Sequence, residues 1–353
     1  MYSTNNHRKR LTIRLVVLLM LTLIIVLTAS AHVPIRSSGN ESLATATLIP
    51  DPTKSRVVYA ALHEGGETQY YKFEASKGQP IHLTLFTSTS MEDAHFTPGI
   101  ILIGPGVPNH GFVPPNVEIQ PVASVMAVNG TRAKQATYEA FAPSSFVTLA
   151  DISLLAPANG TYYVAVQDAD YGGHYGLAIG DRESFTVVEW ILNPIAVLSV
   201  YTWERQSLLV VLWPALAIFV LGLILLIRRQ LGGNSLDTIG FIVAVAGLLY
   251  LGTGATFASQ MLLSINRSHV DTFVIFTLVF TILPIILGLL AIRIAVRNIG
   301  YWTFRSRFYL ILLGVGAFAT WAGFLIGPIL AISAAFIPSK THEKHRMKHV
   351  DDA

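Results

Sequence analysis

Two hydrophobic rhythms divide the chain near residue 187. Over residues 41–181, apolar and polar positions alternate in short runs, as in Tyr70-Tyr71-Lys72-Phe73-Glu74, Ile81-His82-Leu83-Thr84-Leu85-Phe86 and Thr161-Tyr162-Tyr163-Val164-Ala165-Val166. A period of two, aromatic and β-branched enrichment and Gly/Pro/Asn punctuation predict half-buried strands. About 145 residues suffice for one sandwich with its own core. Pro105, Pro108, Pro114 and Pro115 mark long surface loops between strands. Beyond residue 206 the pattern changes to uncharged runs at 207–227, 239–258, 272–292 and 308–337, each long enough for a membrane-spanning helix. The expected fold is mixed: an all-β, jelly-roll-like sandwich ectodomain (32–186), followed by an all-α C-terminal bundle of four transmembrane helices (207–338).

The first 31 residues read as a targeting segment. Arg8, Lys9, Arg10 and Arg14 precede an uncharged run of 17 residues that ends at Ala29-Ser30-Ala31. A basic flank, an apolar core and a small-x-small end fit a cleaved signal peptide, with a retained signal-anchor as the alternative. Either way, residues from 32 onward are expected outside the cell.

Composition sharpens this division. Only 13% of the 353 residues are charged, 52% are hydrophobic and none is cysteine, against roughly 25% charged in a soluble domain. The formal net charge of +3 hides a compartmented distribution. Residues 32–205 hold nine Lys/Arg against sixteen Asp/Glu, a net −7, whereas 206–338 hold seven Arg against two Asp, a net +5. An acidic exported domain gives no reason to expect nucleic acid as a partner.

Loop charge sets the expected topology. Arg228 and Arg229 follow the first span, and Arg293, Arg297, Arg305 and Arg307 separate the third from the fourth. Both loops are therefore expected in the cytoplasm, and the loop with Arg267 outside. Four sequons, at Asn40, Asn129, Asn159 and Asn266, fall on the outer side of this scheme. Four spans place the tail (339–353) outside, although Lys340, Lys344, Arg346 and Lys348 favour the inside. The alternative makes 308–338 a re-entrant hairpin with halves of about 15 residues, too short to span. The reading adopted from sequence is four spans with the tail outside.

Two stretches carry a family resemblance. Gly65-Gly66-Glu67-Thr68-Gln69-Tyr70-Tyr71-Lys72-Phe73 continues through Gly78-Gln79-Pro80-Ile81. Ala156-Pro157-Ala158-Asn159-Gly160-Thr161-Tyr162-Tyr163-Val164-Ala165-Val166 is followed by Gly172-Gly173-His174-Tyr175-Gly176-Leu177. Together they resemble the opening strands and closing hairpin of the bacterial/archaeal pre-peptidase C-terminal (PPC) domain. Gln69 departs from that pattern, which usually has an acidic residue before the aromatic. The resemblance does not reach the middle of the domain, residues 90–150. It implies a secreted accessory sandwich with binding or stabilising roles and brings no catalytic residues.

Between the two halves, the connector 187–206 contains an uncharged run of only 14 residues, interrupted by Pro194 and bracketed by Trp190, Tyr201 and Trp203. Aromatic residues at both ends predict an interfacial amphipathic connector that docks the sandwich on the outer leaflet; a last buried strand plus linker is the alternative. Ala319, Gly323 and Gly327, four apart, suit close helix packing.

Candidate chemistry is sparse. The four spans contain no Asp, Glu, Lys, Arg or His, which disfavours a proton-coupled transporter. Cleavage after Ala31 would make His32 the mature N-terminus, whose α-amine and imidazole together suit copper. Asp168, Asp170 and His174 lie on one expected hairpin loop and add possible ligands. The carboxylates there, with Asp181, also suit calcium. The tail's His342, His345 and His349 read as part of a solvated basic segment. No Gly-x-Ser-x-Gly elbow, His-Glu-x-x-His or phosphate-cradling glycine pattern occurs. The expected function is a membrane-anchored cell-envelope protein that displays a sandwich for binding. Its partners are membrane lipid and an envelope glycan or an exported or membrane protein. A copper-binding accessory of a membrane oxidoreductase is the alternative, and a transporter component a third.

Overall fold

A computed structural model describes residues 33–35, 37–121, 123–269 and 272–338. The expected signal segment, His32 and the basic tail lie outside the described residues. The chain divides into two compact units. Of the described residues, one comprises those from 33 to 208 together with those from 262 to 274, and the other comprises 209–261 with 275–338.

The first unit holds eleven described strands: β1 (Val33–Ile35), β2 (Thr47–Leu48), β3 (Arg56–Leu62), β4 (Thr68–Ala75), β5 (Pro80–Ser88), β6 (Gly99–Gly104), β7 (Ser124–Val128), β8 (Thr137–Glu139), β9 (Ser144–Leu155), β10 (Gly160–Gln167) and β11 (Gly173–Ile179). They form two mixed sheets, ordered β1-β3-β11-β5-β9-β8 and β2-β4-β10-β6-β7. Two of the four edge pairings, β1 with β3 and β2 with β4, are parallel. Alternation supplies the shared core. Tyr71 and Phe73 of β4, Leu83 and Leu85 of β5, Ile100 and Leu102 of β6, Tyr162 and Val164 of β10, and Leu177 and Ile179 of β11 all enter one buried cluster. Successive side chains of a strand point to opposite faces, so each of these pairs lies on one inner face.

Two expectations are corrected here. β10 and β11 do not form a hairpin: β10 pairs with β4 and β6 in one sheet, and β11 with β3 and β5 in the other. Residues 168–172 therefore connect the two sheets. The proline-marked stretch is also more than surface loop. Val113 and Val117 join Tyr70, Ile101, Ala127, Tyr163 and Ala165 in a second apolar cluster over the outer face of the five-stranded sheet. A half-apolar outer face thus receives a cover from the loop.

The connector is helix α1 (Val187–Trp203). Thr186 and Glu189 make a reciprocal capping box at its start. Asn193, Pro194, Val197, Val200, Tyr201 and Trp203 are buried, whereas Val188, Leu192 and Ile195 on another face are exposed. Tyr201 and Trp203 are thus enclosed by protein, which corrects their expected placement at an outer surface. Trp190 is half-buried and meets Phe185 edge-on at 5.8 Å.

The second unit is helical: α2 (Leu208–Leu231, whose first residue belongs to the first unit), α3 (Thr238–Ile265), α4 (Val274–Arg297), α5 (Phe304–Ala319) and α6 (Ile326–Phe336). α2, α3 and α4 are long and apolar enough to cross a membrane. α2 and α4 continue through Pro214 and Pro284. Glycines set the α3–α4 approach: a Cβ on Gly247 would lie 2.9 Å from the Gly288 carbonyl oxygen, and one on Gly288 2.7 Å from that of Gly247.

The expected fourth span is not one continuous helix. Residues 308–337 belong to two helices, α5 and α6, joined by a turn at 320–325. At 1.5 Å per residue, the 11 residues of α6 reach only about 16 Å, roughly half a hydrocarbon core. Arg307, in the first turn of α5, donates from Nη1 to the carbonyls of Ala335 (2.7 Å) and Ile337 (2.6 Å) at the end of α6. The chain therefore leaves the hairpin at the end where it entered, and the described residues finish there.

The hairpin tip is buried against α3 and α4. The Gly323 amide donates to Thr253 Oγ1 (2.8 Å), and Trp321 stacks on Phe280 with ring centroids 4.7 Å apart. Gly323 and Gly327 both lie against the Tyr250 ring, where a Cβ would come within 2.7 and 2.6 Å. Both glycines thus serve close packing, but the turn separates Gly323 from the helix that carries Gly327. Ala319 is buried as the last residue of α5. At the opposite end of α3, Asp237 Oδ1 accepts from the Gly240 amide, and its Oδ2 accepts from the Trp302 indole at 2.6 Å and the Gly300 amide at 3.2 Å. One carboxylate joins the α2–α3 and α4–α5 loops.

Candidate functional site

A cleft of about 310 Å³ opens on the five-stranded sheet beside β6, β7 and the end of β10. The chain passes Gly111 at φ +79°, and the residue before it, His110, makes ladder bonds to β7: its amide donates to Val125 O, and its carbonyl accepts from the Ala127 amide at 2.8 Å. Farther along, the Glu118 amide donates to Tyr70 Oη (2.7 Å), and Asn116 Nδ2 donates to the Gly66 carbonyl (2.7 Å). These bonds fix a loop that presents Phe112, 71% exposed, and Pro114 to the cleft. Asn129, Gln167 and Asp170 supply its polar edge. The cleft offers an aromatic face with amide and carboxylate groups around it.

Asp168 builds the cleft floor. Its Oδ1 accepts from the amides of Asp170 and Tyr171, both at 3.0 Å, and its Oδ2 accepts from the Thr97 amide at 2.8 Å. Those bonds engage both carboxylate oxygens in shaping the connection. His174 points elsewhere, with Nδ1 2.6 Å from the Trp203 carbonyl oxygen. Burial first, and the nearby Arg205 charge second, hold its imidazole below the ordinary histidine range. The structure therefore does not bring Asp168, Asp170 and His174 into one ligand set. Among the described residues, no group of three His, Asp or Glu is placed to hold a metal ion. Asn40, the first sequon, is buried and spends Nδ2 on the Tyr70 carbonyl (3.0 Å). Gln69, the departure from the family pattern, accepts from Tyr175 Oη at 2.7 Å, and Tyr71 and Tyr175 share a 2.5 Å bond.

A second constellation joins α1 to the sheets, and none of its carboxylates was singled out in the sequence. At the start of α1, Lys54 pairs with Glu189 at 2.8 Å. At its end, Arg205 reaches Asp93, whose side chain is 0% exposed, at 3.1 Å and Glu92 at 2.8 Å. Asp93 also accepts from Ser88 Oγ (2.5 Å) and the His174 amide (3.1 Å). The Trp203 indole donates to the Tyr175 carbonyl at 3.0 Å and lies edge-on to Tyr59 and Phe86.

Two further carboxyls occupy this junction. Glu204, 5% exposed, accepts from the Ser145 amide (2.9 Å) and Gln206 Nε2 (2.8 Å). Burial nevertheless pushes it up to about 7, with those bonds and the Arg267 charge opposing the rise. Glu139 lines a narrow cavity of about 30 Å³ with Tyr59 and Val200. Burial, reinforced by Glu183, also pushes it up to about 7. Two carboxyls titrating near neutrality beside one helix form a protonation-sensitive seam. The α3–α4 loop belongs to the same unit, and its His269 amide donates to the Ala136 carbonyl at 3.1 Å.

Compared with protein-family models and with curated proteins, the chain matches none.

Proposed function

We propose that this chain is an envelope-membrane protein that displays a PPC-like, jelly-roll-like sandwich outside the cell to bind a polar, glycan-class envelope component. The observation that carries the reading is the cleft, where exposed Phe112 meets Asn129, Gln167 and Asp170. A flat aromatic face with amide and carboxylate groups suits a ligand that has apolar ring faces and many hydroxyls.

The membrane arrangement follows from loop charge. With α2, α3 and α4 as spans and α5–α6 as a re-entrant hairpin, Arg228, Arg229, Arg293, Arg297, Arg305 and the basic tail all belong on the cytoplasmic side. The loop that packs with the sheets belongs outside with the sandwich. Non-helical backbone at the hairpin tip is tolerated at membrane depth when it is buried in protein, as Thr320, Trp321 and Ala322 are. Exposed Val188, Leu192 and Ile195 on α1 support its contact with the outer leaflet.

The test uses the full-length protein in detergent and a panel of soluble envelope oligosaccharides, including N-acetylhexosamine polymers. At least one glycan should bind, and Phe112→Ala should weaken it roughly tenfold, the scale of one aromatic contact. Retention of no glycan, or equal binding by Phe112→Ala and Asp170→Asn, overturns the proposal.

A further inference from the structure

At the end of the helical unit that carries the α4–α5 loop, a cavity of about 450 Å³ lies between the last turns of α4 and the start of α5. Three arginines border it: Arg293 and Arg297, one helical turn apart on α4, and Arg305 in the first turn of α5. None of the three guanidinium groups has a hydrogen bond or ion pair with another described residue. The one carboxylate described in this unit, Asp237, is already committed to Gly240, Gly300 and Trp302.

Arg293 and Arg297 suit the negative end of α4, but Arg305 opposes the helix dipole. The start of α5 is electropositive, contains no acidic residue, and Thr303 caps only the Ser306 amide there with its side chain. A cation at that position raises an already positive potential, and an anion in the cavity would relieve it. Such helix starts with flanking arginines suit phosphate oxygens in particular.

The walls identify which phosphate. Leu290 and Ile294 extend the cavity down the apolar face of α4, and exposed Tyr301 lines it together with Tyr309. An aromatic rim above apolar walls fits a molecule with a charged head and hydrocarbon tails. We infer that this cavity binds the phosphate headgroup of an anionic phospholipid, with its acyl chains along Leu290 and Ile294. The inference rests on the membrane reading proposed above, because it places this end of α4 at the inner boundary of the bilayer.

The experiment uses full-length protein in neutral detergent and native mass spectrometry, with phosphatidic acid, phosphatidylglycerol, phosphatidylcholine and inorganic phosphate as probes. One anionic lipid should be retained per chain in preference to phosphatidylcholine. Arg297→Gln/Arg305→Gln should weaken it roughly thirtyfold, about fivefold for each charge removed. Equal retention of phosphatidylcholine, or an unchanged double variant with native thermal stability, overturns the site. Binding of inorganic phosphate as tightly as the lipids overturns the assignment to lipid. Alkaline carbonate extraction of whole membranes checks the underlying reading separately. Release of the protein overturns membrane embedding, whereas retention without lipid preference overturns this site alone.

Discussion

Arg205 adopts φ +62° and from that left-handed position delivers its guanidinium to the buried carboxylate of Asp93. It occupies the residue after the C-cap of α1, where the Gln206 amide bonds Tyr201 O and the Arg205 amide bonds Thr202 O, both at 3.0 Å. This is the Schellman arrangement, which usually places glycine at the left-handed residue. A side chain there costs about 1–2 kcal/mol, and the ion pair offsets it. Arg205→Ala should destabilise the protein by about 2–4 kcal/mol, since it strands a buried charge while keeping the strain. Arg205→Gly should be milder by about 1 kcal/mol. Equal melting temperatures for the two variants would refute the offset.

Glu204 makes stability depend on pH in an uncommon direction. Its folded pKa is raised from 4.5 to about 7, so between those values the unfolded chain releases a proton that the folded protein keeps. The group costs nothing below about pH 4.5. Stability falls as pH rises toward 7, by about 3 kcal/mol when fully ionised. Glu139 acts in the same direction. Denaturant unfolding between pH 4.5 and 8 should show the decline, and Glu204→Gln should flatten it. An identical slope in wild type and variant would sink the assignment.

The hairpin tip depends on one hydroxyl. Thr253→Val preserves shape but removes the acceptor of the buried Gly323 amide. The expected loss is about 1–3 kcal/mol, the penalty for an unsatisfied buried donor. A thermal midpoint within error of wild type would show that the amide finds another partner.

Because the chain has no cysteine, single introduced cysteines report sidedness without background. Ser339→Cys and Asn298→Cys should react with an impermeant thiol reagent only from the cytoplasmic side, whereas Ser268→Cys should react from outside. External labelling of Ser339→Cys would restore a fourth span.

The strands were legible because each shows its inner face every second residue, as Leu83 and Leu85 or Val164 and Val166 do. Their pairing was less legible. Nothing in the run from Tyr162 to Leu177 distinguishes a hairpin from two strands that cross between sheets, since both need a polar connection. The break in the last apolar run was hidden for a related reason: Trp321 and Phe324 hold positive φ, where a turn is normally announced by glycine or asparagine. Only Gly323 gave a local signal. The cleft was partly legible through its proline-marked loop. Glu139 and Glu204 were not, because both look like ordinary solvated charges until the fold packs α1 against the sheets.

The dependence of the hairpin tip on Thr253 and Phe280 also implies an order of biogenesis. Both residues precede the hairpin in the chain, and synthesis delivers N-terminal segments first. α5 and α6 can settle only into a receptor that α3 and α4 have already built. A ribosome paused before residue 304 would leave a bundle with an open seat, and the thirty-three residues of the hairpin, 304–336, would be threaded into it after α2, α3 and α4 are complete.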